Sequence, residues 1–317
     1  MFIIPNEVLS ITHRLSRMTK HVHLLYDFAR PHTIIATSIQ VITILIIVAG
    51  WRPLTPDLIG LAIATLIVCL ALNLYVVGMN QLTDIEIDRI NKPWLPIAAG
   101  RLSMRTGQRI VVVALVIALT GAAILSTALL ITVSAIALIG SLYSLPPLRL
   151  KRHPLAAALS IASARGAIAN VGLAFHYQSR LAVDLPLTTI ILAGIFFFGF
   201  ALVIALYKDL PDAHGDRLYQ IETLTTRLGA RRVLQLGRVL LSLCYLLPIG
   251  VGLWSLPAFA AGFLVLSHAI VITLFWWASF RVDVSQQQSI TNFYMFLWSI
   301  FYSEFALLSI YQLTEPF

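Results

Sequence analysis

The stretch N-Q-L-T-D-I-E-I-D-R, Asn80 to Arg89, closes an apolar run from Leu58 to Met79 and then places Asn80, Asp84 and Asp88 four residues apart. The run is long enough to cross a bilayer, for which about 20 residues suffice. Carboxylates at such a boundary are costly unless they bind something. On a continuous helix, side chains at i, i+4 and i+8 drift by only about 40° per step, so the three polar groups are expected to share one face. The chain repeats the idea later: Lys208, Asp209, Asp212, Asp216 and Arg217 also follow directly on an apolar run. A single segment of this kind is as well explained by a solvated acidic loop capping a helix. Two of them point to a shared cation site.

The rest of the chain fits a membrane. Of its 317 residues, 59% are hydrophobic and 11% charged, against about 25% charged in soluble domains. Its mean hydropathy is +0.87. Nine apolar spans are expected at roughly 33–50, 58–79, 108–125, 127–143, 155–177, 187–207, 236–254, 257–277 and 290–311. No alternating pattern of a β-barrel is present, so the fold class is all-α, a multi-pass transmembrane helical bundle of a single domain over 1–317.

The net charge of +8 does not indicate nucleic acid, because the basic residues sit in short clusters between apolar runs. Nineteen of the 22 Lys and Arg residues fall in the N-terminal segment and the even-numbered loops, against Arg52 and Arg180 in the odd ones. The N-terminus and both acidic motifs are therefore expected on the cytoplasmic side and the C-terminus opposite. Two motifs four spans apart on one face predict a parallel repeat, about 33–143 and 155–277, with a ninth helix at 290–311 added. No signal peptide is expected after Arg14, Arg17 and Lys20. Cys69 and Cys244 both lie in apolar runs and read as inert thiols.

Carboxylates and an amide oxygen are hard ligands, suited to Mg²⁺ completed by substrate phosphate oxygens. Zinc is disfavoured because no His or Cys cluster adjoins the aspartates. The expected ligand is a Mg²⁺-bridged diphosphate. Basic residues crowd the same face: Arg89 and Lys92 after the first motif, Lys208 and Arg217 around the second. Between them, Pro146-Pro147 stops a helix and stiffens the turn that carries Arg149 and Lys151. Each of these also has an ordinary explanation in cytoplasmic-side charge. Arg165, about ten residues into the fifth span with Asn170 five positions on, is harder to explain that way. Glu304 in the ninth span reads as a packing partner, and His32 is notable only for its setting, Arg30-Pro31-His32-Thr33.

These strings resemble the UbiA superfamily of intramembrane prenyltransferases over nearly the whole chain. Its two hallmarks are an N-x-x-x-D-x-x-x-D motif and a second aspartate motif after the sixth span, here Asn80/Asp84/Asp88 and Asp209/Asp212/Asp216. Five strings are similar to the homogentisate prenyltransferase branch, in particular its phytyltransferases: RPHTIIAT (30–37), NQLTDIEIDRINKPWLPIAAG (80–100), YSLPPLRLKR (143–152), RGAIANVGL (165–173) and KDLPDAHGDR (208–217). One departure is His214, where related members often carry an acidic residue. The resemblance implies a central cavity, capped on the motif side and open laterally to lipid, in a bacterial inner or photosynthetic membrane.

The resemblance also implies roles. Asn80, Asp84, Asp88, Asp209, Asp212 and Asp216 would hold two Mg²⁺ ions that clamp a prenyl diphosphate. Arg149, Lys151, Arg165, Lys92 and Lys208 would neutralise the leaving group, with Arg89, Tyr143 and Asn170 in the substrate site. Homogentisate would attack the prenyl C1 and lose CO₂. Arg30, Lys151 or Arg165 would hold its carboxylate, and the sequence does not choose among them. The tail could be phytyl, geranylgeranyl or solanesyl, and the acceptor another aromatic acid or a chlorophyllide. A transporter with an acidic ion site is the rival outside this class, although transporters place such charges at the midplane and not at helix ends.

Overall fold

The computed structural model describes residues 22–213, 222–255 and 259–314. Among these, nine helices are long and apolar enough to cross a bilayer. They are α1 (Pro31–Ala49), α2 (Pro56–Thr83), α4 (Met104–Leu125), α5 (Thr127–Ser144), α6 (Pro154–Leu181), α7 (Leu187–Tyr207), α9 (Ala230–Trp254), α10 (Phe259–Phe280) and α11 (Gln287–Thr314). Two short helices, α3 (Ile85–Asn91) and α8 (Leu224–Leu228), lie in the connections, and a helical segment at 22–28 precedes α1.

Local chemistry sets the helix starts. Pro31, Pro56 and Pro154 occupy first turns, where a missing N–H costs nothing. Thr55, Ser103 and Ser126 cap α2, α4 and α5, each accepting a backbone N–H at 3.1–3.2 Å. Ser126 also ends α4, so a single residue turns the chain between two antiparallel spans.

The structure corrects the sequence reading in three places. α2 ends at Asp84 (φ −120°, ψ 21°) and the chain restarts as α3, so Asn80, Asp84 and Asp88 do not lie along one helix. α9 begins at Ala230, so Arg231, Arg232 and Arg238 are helical and not in a loop. Within α6, residues Ala162–Ile168 form a π-helical segment centred on Arg165. Apolar run length registers none of these, because polar residues can be carried within a helix end and backbone register leaves no mark on composition.

Two apolar clusters organise the interior. One joins α1, α2, α4, α5 and the later half of α6. The other joins α7, α9, α11 and Phe275 of α10. A cavity of about 1360 Å³ is walled by residues of both. Close approach of α6 to α7 depends on Gly166, where an added Cβ would stand 2.4 Å from the Phe197 carbonyl oxygen. At the far end of the bundle, Trp51 donates to the Leu313 carbonyl and Arg52 to that of Leu181. The acidic motifs lie at the opposite end.

The second cluster contains a polar knot. Glu304 on α11, Tyr245 on α9 and His268 on α10 are at most 1% exposed. The Tyr245 hydroxyl donates to one Glu304 oxygen. His268 Nδ1 faces the Leu264 carbonyl at 2.7 Å and donates to it, so Nε2 turns a lone pair towards the other Glu304 oxygen at 3.1 Å. Two lone pairs repel at that distance, so a hydrogen on either atom would relieve the contact. Glutamine can supply that hydrogen from its amide. Glu304→Gln is therefore expected to unfold within a few degrees of wild type in detergent, while Glu304→Ala loses about 3–5 kcal/mol by stranding its partners. Equal melting of the two variants would refute this account of the contact.

Candidate active site

The motif end of the cavity is built from three connections. After α2, Asp84 turns the chain and α3 carries Asp88 inward, where it is 5% exposed. After α5, Arg149 takes a left-handed conformation (φ 38°) and starts the 3-10 turn Leu150–Arg152. After α7, the chain passes through Lys208, Asp209 and Asp212. Arg30, at the entry to α1, also has a positive φ of 56°. Of the three non-glycine residues with positive φ among the described residues, two are thus cavity arginines. Such backbone strain collects where side chains must be aimed.

Ion pairs tie the connections together. The Lys151 ammonium lies 2.7 Å from Asp84 Oδ1, and it donates to Thr83 Oγ1 at 2.7 Å and to Asn80 Oδ1 at 3.2 Å. Arg149 reaches the same Asp84 oxygen at 3.1 Å and the Thr83 carbonyl at 2.9 Å. Lys92, four residues beyond Asp88, pairs with Asp212 at 3.3 Å and so links the connections that carry the two acidic motifs. Lys208 stands 3.8 Å from Asp209 and donates to the Tyr143 hydroxyl at 3.0 Å.

Burial and charge compete across this set. Burial raises the Asp88 carboxyl above its ordinary value, with Arg30 and Lys92 pulling the other way. Burial likewise raises Asp209 against the pull of Lys208. The Lys151 ammonium is lowered by burial in spite of Asp84. Each group is thus held away from bulk water at a place where its charge is matched by a neighbour.

The donor set suits a hard divalent cation. Asn80, Asp84, Asp88, Asp209 and Asp212 line one cavity wall, and Asp88 Oδ2 is buried with no hydrogen-bond partner. A cation already stands between the Asn80 and Asp84 oxygens, in the form of the Lys151 ammonium. Among the described residues no three acidic, His or Cys side chains converge closely enough to enclose a metal by themselves. Oxygens from another molecule would complete the shell, as is usual for Mg²⁺.

Arg165 lies deeper. Its guanidinium sits 5.6 Å from the Trp298 ring centroid, and its carbonyl accepts from Gln40 at 3.2 Å and Asn170 at 3.3 Å. An arginine at mid-span costs about 2.5–3.5 kcal/mol to insert. The π segment turns it into the cavity.

Most of the predicted site residues come together. Asn80, Asp84, Asp88, Lys92, Tyr143, Arg149, Lys151, Arg165, Lys208, Asp209, Asp212 and Arg30 all line the cavity. Arg89 is exposed on α3 and does not. Asn170 is buried against the backbone of its own helix and acts on Arg165 from behind. Asp216, His214 and Arg217 lie outside the described residues. The sequence reading passed over Thr83, Gln40 and a stripe on α11, namely Gln287, Thr291, Tyr294 and Trp298. That stripe is spaced i, i+4, i+7, i+11, a signal present in the sequence.

Comparison with known proteins agrees with this geometry. Residues 40–300 match the UbiA prenyltransferase family. The homogentisate phytyltransferase of Synechocystis sp. is 38% identical over 90% of this chain and 94% of its own. The homogentisate geranylgeranyltransferase of Triticum aestivum is 36% identical over 93% of this chain and 74% of its own. Among solved structures, a UbiA homolog from Archaeoglobus fulgidus bound to GPP and Mg²⁺ superposes with a TM-score of 0.65 over 90% of this chain and 99% of its own, at 17% identity. The chain is an integral membrane protein that belongs to the UbiA prenyltransferase family, in the branch of the homogentisate prenyltransferases.

Proposed function

We propose that this protein transfers a prenyl group, phytyl in the first instance, from its diphosphate to homogentisate, releasing diphosphate and CO₂. The observation that carries the reading is the placement of both aspartate motifs at one end of a single, largely apolar cavity, linked there by the Lys92–Asp212 pair. Asn80, Asp84 and Asp88 of the first motif, with Asp209, Asp212 and Asp216 of the second, are the residues that would hold two Mg²⁺ ions. When bound, such ions neutralise phosphate oxygens and make diphosphate a better leaving group. Lys92, Arg149, Lys151 and Lys208 surround the same mouth and attract the charge that grows on the departing oxygen. Tyr143 fixes the Lys208 ammonium among them.

The allylic C–O bond then ionises, and a ring carbon of the hydroquinone attacks the prenyl C1. The electron pair of the carboxylate C–C bond passes into the ring as CO₂ leaves, and transfer of the proton from the substituted ring carbon to the exocyclic methylene carbon restores aromaticity and forms the methyl group. Leu72, Val76, Val133 and Ile136 line the cavity behind the motifs and keep water from the cation. We propose that the motif end faces the cytoplasm and that spans one to four are repeated in spans five to eight. Support for the repeat comes from the helix neighbours: α2 packs on α4 and α4 on α5, as α7 packs on α9 and α9 on α10.

Membranes containing the protein, incubated with labelled homogentisate, Mg²⁺ and phytyl, geranylgeranyl or solanesyl diphosphate, are expected to form a lipid-soluble labelled product that chelation abolishes. No product with any tail would refute the reading. Asp84→Ala and Asp212→Ala should each lower turnover by about 100-fold or more while still accumulating in the membrane. For sidedness, a cysteine replacing exposed Ala99 is expected to react with an impermeant thiol reagent only from the cytoplasmic face. Labelling from the other face would reverse the proposed orientation.

A further inference from the structure

The half-buried cations of the cavity are not equivalent. Those at the mouth are matched by Asp84, Asp209 and Asp212, and Arg30 acts on Asp88. Arg165 is different. Among the described residues it forms no ion pair with a carboxylate, and the groups around it are the Trp298 ring, Tyr294, Tyr302 and His32. It nevertheless lines the cavity, eleven residues into α6 and away from the acidic mouth. A membrane protein seldom keeps a lone guanidinium at that depth without an anion to meet it.

We infer that Arg165 binds the carboxylate of the acceptor, homogentisate under the function proposed above, and thereby selects acceptors that carry one. The other two candidates stand at the acidic mouth. The three N–H donors of Lys151 are taken by Asp84, Thr83 and Asn80. Arg30 lies beside Asp88, whose charge repels a second carboxylate. Arg165 has a planar fork suited to bidentate recognition, and the Trp298 ring lies against it. Its backbone is held by Gln40 and Asn170, which leave the guanidinium free for a ligand.

The placement separates two anions that would otherwise repel. Diphosphate charge stays at the mouth with the lysines, and the acceptor carboxylate lies deeper on Arg165. The aromatic ring is then suspended between them, facing the prenyl carbon that must be attacked. Trp298 and Tyr294, set edge to face with ring centroids 6.4 Å apart, supply aromatic surface at that level.

The test uses the full chain in membranes with phytyl diphosphate and two acceptors, homogentisate and its methyl ester. Wild type should strongly prefer the free acid. Arg165→Gln should raise KM for homogentisate about 30-fold or more, leave KM for the diphosphate unchanged, and give acid and ester similar KM values. Arg165→Lys should keep the preference at a raised KM. If Arg165→Gln retains the wild-type KM and preference, the inference falls. If that variant does not accumulate, Arg165→Lys decides, since an unchanged KM for homogentisate overturns the assignment. A wild type that prenylates the ester but not the acid also overturns it. A wild type inactive with either acceptor refutes the proposed function, and the inference with it.

Discussion

The contact between Lys151 and the oxygens of Asn80, Thr83 and Asp84 holds the mouth of the cavity together. It joins the last turn of α2 to the 3-10 turn after α5, two segments nearly 70 residues apart in sequence. A surface pair of this kind contributes little. Here the lysine side chain is 10% exposed and the carboxylate 13%, so loss of water is significant and must be offset by good geometry. All three ammonium hydrogens have partners, and Arg149 reinforces the same carboxylate oxygen. The left-handed backbone at Arg149 is the conformational cost of that aim.

From this contact outward the molecule separates charge by depth. Paired charges occupy the mouth, where helix ends already bring polar backbone towards water. Deeper polar groups are arranged so that little net charge meets lipid. His176 lies between the hydroxyls of Thr65 and Ser126, and Glu304 accepts from Tyr245 and faces His268. Arg165 stands apart from this economy, and that exception is what gives it meaning.

Much of this was legible in the sequence. The number of spans and the meeting of the two motifs follow from run length and loop charge, because transfer energy acts on composition alone. The site residues on helix ends were legible for the same reason. The break at Asp84 was not, since a four-residue spacing of carboxylates looks the same on a helix and through a turn. Arg89 follows the motif in sequence but points away from the cavity, because α3 restarts in a new direction. The assembly of Glu304, Tyr245 and His268 from three spans depends on packing that spacing does not encode. The stripe on α11 was visible as a period and passed over, because the ninth span is apolar on every face and its period does not separate cavity from lipid.

The π segment of α6 has one more implication. A π turn accommodates one residue more than the α-helix around it, and one residue corresponds to about 100° of rotation. The span therefore contains two registers. Its first part, with Ala157, Ser160 and Arg165, faces the cavity. Its last part turns His176 and Tyr177 to the opposite seam, against Thr65, Ser126 and the Val41 carbonyl. The segment works as a joint that uncouples the two halves: substitutions that reshape the acceptor end need not disturb the seam at the far face, and one helix can answer to two selective pressures.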